Sequence, residues 1–364
     1  MRTFLKFLAL VILVAAVGAV AYGSVLWGRV NEPFKGYDTE QYVQIPQGAT
    51  TPAIGRQLVE RGIVRDQLTF RVALLWSGRS RALKAGEYRF DQPLHAVAVV
   101  DRLARGDVHV RRITFPEGLT VREMAALYEA RGFGATAEFV AAAQDERLIA
   151  DLDPDATDLE GYLFPETYEV QTGTPPATLV ARMVQGFRAA LDDELRRLAA
   201  EQGLTTRQVV TLAALVEEET GESDERPRVA AVYRNRMRLG MPMQADPTLI
   251  YALQKAGRYD GNIRKTDLGF DSPYNTYKYP GLPPGPIASP GQGSLAAAVR
   301  PADVRYLYFV SRNDGTHAFA ETLAEHNANV RKFQVEYFRE QRRRQGEGDR
   351  EKGIGLGQRA GPRK

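Results

Sequence analysis

Hydrophobic and polar positions divide the chain into three regimes. From Phe7 to Trp27 the residues are uncharged and mostly apolar. From Tyr42 to about Phe338, short alternating runs trade places with stripes at helical spacing. Beyond Arg342 the chain is rich in Arg, Lys and Gly and nearly free of hydrophobes, which predicts a disordered tail over 340–364. An apolar run of about twenty residues crosses a bilayer as a helix. Arg2 and Lys6 precede it, so the positive-inside rule places the N-terminus in the cytoplasm and the rest outside. A cleaved signal peptide is the rival, because small residues around Ala16 to Ala21 offer a cleavage site. The run is longer than a usual signal core, which favours an uncleaved anchor over 1–28 and a linker over 29–40.

Alternation marks Tyr42 to Ile45 as a strand that stops at Pro46 and Gly48. Helices are predicted over 51–60 and 67–76, separated by Gly62. A second strand follows over 85–90, then a helix over 95–104 closed by Gly106. This β-α-α-β unit, 41–110, resembles a LysM-like module, a shape that grips glycan strands. Its opening then recurs: Val43-x-Ile45-Pro46-x-Gly48-x-Thr50 matches Ile113-x-Phe115-Pro116-x-Gly118-x-Thr120. The match continues through Ile54 with Met124 and Arg61-Gly62 with Arg131-Gly132. A duplicated module gives such a repeat; so does plain local chemistry, since Thr after Gly is a common helix N-cap. Both readings stand.

Leu159 to Tyr168 (LEGYLFPETY) mixes aromatics with acids, a composition that suits either sugar stacking or a packed core strand. A helix is predicted over 177–200, another over 206–220 and a third over 225–239. Gln244, Asp246 and Thr248 form a polar segment interrupted by Pro247, and 251–256 returns to helix. The stretch 271–293, DSPYNTYKYPGLPPGPIASPGQG, is a long Gly/Pro loop whose tyrosines argue against disorder, so it reads as a cleft wall. A short helix (294–299), a strand (305–311), a turn before His317 and a final helix (325–339) complete a second domain over 111–339. The fold class is α+β.

The most unusual stretch is Val209 to Asp246, where an apolar helix ends in Glu217-Glu218-Glu219. Val209, Leu212, Val216 and Glu219 share one stripe; Val210, Ala213, Ala214 and Glu217 share the next. The face with Thr211 and Glu218 is expected to meet solvent. Periodicity leaves Glu217 and Glu219 open. Burial and the negative pole of a helix C-terminus both disfavour a carboxylate. A carboxyl that keeps its proton is what general acid catalysis of glycoside cleavage needs. The bland alternative is a glutamate paired with Arg226 or Arg228.

Composition narrows the field. The 364 residues carry a net charge of +3, which gives no support to nucleic-acid binding. Cysteine is absent, so disulfides, thiol nucleophiles and cysteine metal sites are excluded. His317 and His326 form no recognised zinc spacing with the glutamates. No nucleophile elbow or phosphate-binding glycine loop occurs. No metal or cofactor is therefore expected.

The motifs LVEEET, SDERPRVAAVYRNRM, MQADPTLIYAL, YNTYKYPGLPPGPIASPG and YLYFVSRNDGTHAF, in this order, resemble the endolytic murein transglycosylases of the YceG-like family. The likeness runs from the anchor to about Phe338. It implies that Glu219, just before Thr220, is the catalytic acid, and that Glu217, Gln244, Asp246, Asn275, Thr276 and Tyr277 belong to the cleft. It further implies a membrane-anchored lytic transglycosylase, a lyase acting on nascent peptidoglycan beside the peptidoglycan synthases. Two rivals remain: a hydrolase with Asp246 as second carboxylate, and a membrane-anchored protein that only binds glycan. A pyridoxal-phosphate lyase has no support.

Overall fold

The computed structural model describes residues 2–79 and 82–343. The chain divides into two compact units, one of Met1–Arg112 with Glu169–Thr174 and one of Ile113–Tyr168 with Pro175–Lys364.

The first unit opens on α1 (Arg2–Asn31), whose stretch Lys6–Asn31 is long and apolar enough to cross a membrane. Next come β1 (Gln41–Ile45), α2 (Thr51–Glu60), α3 (Gln67–Ser77), β2 (Gly86–Phe90) and α4 (Ala96–Arg105). β1 and β2 pair antiparallel, with Gln41 opposite Phe90 and Ile45 opposite Gly86. Alternation sends Val43, Ile45, Tyr88 and Phe90 to one face, where they meet Ile54 and Leu58 of α2, Phe70 and Leu74 of α3, and Val99 and Leu103 of α4. The buried Tyr88 hydroxyl is satisfied by the carbonyls of Lys84 (2.8 Å) and Leu103 (3.2 Å).

The expected linker over 29–40 is tied down instead. α1 runs through its first residues and buries Val30. Phe34 bridges Leu94, the Gly36 N–H donates to Gly62, and the Tyr37 hydroxyl donates to Gln92. Composition suggested a spacer, but backbone pairing to distant residues holds this segment.

The remaining elements are β3 (Val110–Thr114), α5 (Val121–Ala130), α6 (Thr136–Ala142), β4 (Thr167–Gln171), α7 (Pro176–Ala190), α8 (Asp193–Glu201), α9 (Thr206–Glu219), α10 (Arg226–Arg238), α11 (Asp246–Lys255), α12 (Gln292–Val299), β5 (Tyr308–Ser311), β6 (His317–Ala320) and α13 (Leu323–Val330). β3 pairs with β4, and β5 forms an antiparallel hairpin with β6. In the second unit α9 is the hub. Every residue from Val209 to Val216 is buried, with α8, α10, α11 and α12 packed around it. Thr211, expected at the surface, lies inside this shell.

Three expectations about elements change. The helix over 177–200 is two helices, because Leu191 leaves helical geometry and the Asp192 side chain accepts from the Leu195 N–H, capping a new start. Pro247 does not interrupt; it occupies the first turn of α11, where a missing N–H costs nothing. The last helix begins earlier than expected, at a capping box of Thr322 and Glu325, and passes through a π-helical turn at Arg331–Glu336. Helix then continues to Arg343, with the Arg342 guanidinium donating to the Phe338 carbonyl. The tail beyond, 344–364, lies outside the described residues.

Leu159 to Phe164 forms turns rather than strand, and its aromatics face inward. The Tyr162 hydroxyl donates to the buried Asp153, which Arg207 also holds at 2.9 Å; the Tyr168 hydroxyl donates to Phe164. Tyr162 and Tyr168 are buried in the core, and Phe164 is half-buried.

Candidate active site

α9 enters through a capping box of Thr205 and Gln208, runs buried for two turns, and spends its last turn on three glutamates. Successive helical residues point about 100° apart. The three carboxyls therefore reach three different environments.

Glu217 is the ion-paired one. Its side chain is 6% exposed, and it accepts from the Arg226 guanidinium at 3.0 Å and from the Gly291 N–H at 2.9 Å. Arg226 also reaches Glu117 at 3.2 Å. Glu117 is raised above the ordinary glutamate range by burial first, and then by the charge of Glu217.

Glu218 lies on the outer side, as expected, but is not bland. Although the residue is exposed as a whole, its carboxyl is shielded enough to be pushed up to about 7, by desolvation first and then by Glu123, Glu217 and Glu219. Solvent screening tempers that shift. Its Oε1 lies against Gly118, where a Cβ would sit 2.7 Å from it.

Glu219 has the environment of a proton-holding acid. The Tyr233 hydroxyl on α10 donates to its Oε2 at 3.0 Å, and among the described residues no cation forms an ion pair with it. Burial raises its pKa; Tyr233, His317 and Arg236 pull it back, and Asp246 raises it again. His317 is fixed nearby by Glu225, which accepts from its backbone N–H at 3.0 Å and faces its Nδ1 at 2.7 Å. Arg236 is anchored on the carbonyls of Leu307 (2.7 Å) and Met243 (2.6 Å). Its charge is felt at Glu219 without a direct contact.

The loop residues fall into two groups. Gln244 and Asp246 are exposed, and Gln244 is held at φ +51° while its N–H donates to the Thr276 carbonyl. The Tyr277 hydroxyl donates to Asp246 Oδ1 at 2.5 Å. Asn275 and Thr276 are inside. Asn275 is 0% exposed, its amide donating to the carbonyls of Leu268 and Phe270 and accepting from the Tyr277 N–H. The Thr276 hydroxyl accepts from the Ala245 N–H and meets that of Thr248 at 2.8 Å. With no free surface, these two staple the loop rather than present groups to a ligand.

The family is decided by sequence. The profile of the YceG-like family matches residues 43–332. The chain belongs to the YceG-like family. A Bacillus subtilis (strain 168) protein named endolytic murein transglycosylase is 31% identical over 332 residues, covering 87% of this chain and 90% of that protein. A protein of the same name from Streptococcus pneumoniae serotype 2 (strain D39) is 30% identical over 362 residues, covering 90% of this chain and 64% of its own length. The chain thus spans just under two thirds of that pneumococcal relative. A 2.6 Å crystal structure of a yceG-like protein from Listeria monocytogenes aligns with TM-score 0.53 at 28% identity, over 79% of this chain and 98% of that one.

In this YceG-like chain, sequence reasoning missed Tyr233, Arg236 and the approach of His317. The signal was present in part: Tyr233 lies on the helix next after the glutamates, and that helix packs against α9. Among the described residues, one cleft lies away from Glu219. It holds about 370 Å³, lined by Val121, Arg122, Gln144, Glu160, Tyr251 and Lys255 among others, and none of the residues around Glu219 lines it. Glu160 there is pushed up to about 7 by burial, yet both its oxygens are occupied, by the Val121 N–H (2.9 Å) and the Tyr251 hydroxyl (3.3 Å).

Proposed function

We propose that this YceG-like protein is a membrane-anchored endolytic lytic transglycosylase. It cleaves the β-1,4 bond between N-acetylmuramic acid and N-acetylglucosamine in nascent peptidoglycan strands and leaves 1,6-anhydromuramic ends. The observation that carries the reading is Glu219: a buried carboxyl at a helix C-terminus, held by one hydroxyl and, among the described residues, without a cationic partner. The shared name of the Bacillus and Streptococcus relatives supports the choice of substrate.

Glu219 starts protonated and donates its proton to the glycosidic oxygen as the bond to C1 breaks. The resulting carboxylate then removes the proton from the muramic C6 hydroxyl, whose oxygen closes onto C1. One carboxyl serves both steps because the nucleophile belongs to the substrate, so the paired-carboxylate spacing of ordinary hydrolases is not required. Tyr233 orients the carboxyl and steadies its charged form between the steps. Gln244, Asp246 and Tyr277 form the polar wall on the substrate side. Asn275 and Thr276 fix the loop that presents that wall, and Glu217 with Arg226 and Glu117 braces the end of α9. The first unit supplies the anchor, α1, and a LysM-like module facing the cell-wall side. Cleavage beside the peptidoglycan synthases would end growing strands.

The product ends test this reading. Full-length protein in detergent, incubated with un-crosslinked glycan strands, is expected to yield internal cuts with anhydromuramic ends by mass spectrometry. Reducing ends would overturn it in favour of hydrolysis through Asp246. Binding without any cut would favour a glycan-binding protein.

A further inference from the structure

α3 buries one side and leaves the other apolar as well. Thr69, Phe70, Ala73 and Leu74 face the core of the first unit. On the outward side Leu68 is 45% exposed, Leu75 77% and Trp76 64%. A surface helix ordinarily turns polar residues outward, and contiguous exposed apolar side chains mark something that covers them. What lies beside this face identifies the cover. Trp76 packs against Trp27, with ring centroids 4.5 Å apart. Trp27 closes the apolar run of α1, where a spanning helix leaves the hydrocarbon and tryptophan settles at the boundary. A ring in contact with Trp27 sits at nearly the same depth. Arg71, exposed one turn before Leu75 on the same stripe, stands where anionic headgroups would meet it.

We propose that the outward face of α3, centred on Leu75 and Trp76, rests in the polar–apolar boundary of the bilayer that α1 crosses, so that the β-α-α-β module lies on the membrane surface. This rests on reading α1 as a membrane anchor. Amphipathic helices that lie in the interface bury their apolar face in the same way. α3 is braced from behind by its own core, so the module's orientation to the lipid is fixed by two contacts, the spanning helix and this face.

The protein's two tryptophans are Trp27 and Trp76, so each can be read alone. Full-length Trp27→Phe and Trp76→Phe variants are placed singly in lipid nanodiscs carrying lipids brominated at shallow acyl positions. Trp76 is expected to lose fluorescence to bromine as Trp27 does, and to resist aqueous acrylamide. Quenching of Trp27 without quenching of Trp76 overturns the proposal and leaves the anchor intact. If Trp27 also escapes bromine, the anchor reading falls and the proposal with it. A second probe avoids touching the tryptophan pair. The chain has no cysteine, so a nitroxide on Leu75→Cys labels one exposed position. Collision with oxygen exceeding collision with a water-soluble nickel chelate supports burial in lipid; the reverse order overturns it.

Discussion

The chain makes the same turn twice and uses it differently. β1 leads through Pro46 and Gly48 to α2; β3 leads through Pro116 and Gly118 to α5. Both glycines hold positive φ, +76° and +82°. Both helices end at an arginine followed by glycine at φ +67° or +69°. The first turn is open: nothing lies within 4 Å of where a Gly48 Cβ would be, and Thr50 caps without a side-chain hydrogen bond. The second turn is built in. Gly118 meets Glu218 at the end of α9, its N–H donates to the Ser289 carbonyl at 2.9 Å, and Thr120 forms a full capping box with Glu123. Local sequence repeats a scaffold, and function enters through what each copy touches. The position of Glu123 is Ala53 in the first copy, which is why no box can close there.

Substitutions at matched positions sharpen that contrast. Gly118→Ala is expected to have the largest effect, combining the roughly 1–2 kcal/mol of a left-handed non-glycine residue with a smaller cost for displacing the flexible end of the Glu218 side chain. Thermal unfolding should drop and glycan cleavage slow. Gly48→Ala should show the backbone cost alone, with cleavage unchanged. Adding Glu218→Ala to Gly118→Ala removes the collision and should bring stability back toward the Gly48→Ala value; no recovery would mean the contact is immaterial. Next in size, Thr120→Ala should lose about 1 kcal/mol in denaturant unfolding, the usual worth of a side-chain cap, and Thr50→Ala close to nothing. Equal losses would erase the difference between the turns.

The smallest effect is a pH slope. Burial pushes the Glu218 carboxyl from the ordinary glutamate range, near 4.5, up to about 7. A raised carboxyl binds more protons folded than unfolded, so its stabilising share is whole below about 4.5 and fades as pH rises through 7. Glu218→Gln should flatten stability across that window, and an unchanged slope would show the carboxyl to be solvated. Glu219 carries its own sign. Its pKa is raised by burial while Tyr233 holds it down. Cleavage should therefore fall on the alkaline side, and Tyr233→Phe should move that limb to higher pH. A limb that stays in place would mean Tyr233 does not act on the acid.

Much of the second unit could be read from the chain because local rules and packing agree there. α9 is apolar on nearly every face until its last turn, so a buried helix ending in carboxyls was visible at once. Where periodicity leaves Glu217 and Glu219 alike, their partners on other elements differ: Arg226 pairs with Glu217, and Tyr233 meets Glu219. The linker misled because a short polar segment looks the same whether it is free or pinned by Leu94 and Gly62. Asn275 misled for a related reason. A polar side chain in a Gly/Pro loop suits a cleft wall, and nothing in the sequence tells that its amide is spent on Leu268 and Phe270.

The central claim is that Glu219, rather than its neighbours in the same turn, carries the proton. The direct test compares the cleavage rates of full-length Glu219→Gln and Glu217→Gln with wild type on un-crosslinked strands, each variant first checked for folding by thermal denaturation. The account expects Glu219→Gln to fold normally and to lose at least about 10²–10⁴-fold in rate, the worth of general acid–base help. It expects Glu217→Gln to be less stable, through its loss of charge beside Arg226, and still to cut wherever it remains folded. A folded Glu219→Gln that cleaves at the wild-type rate would contradict the account and move the chemistry to another carboxyl.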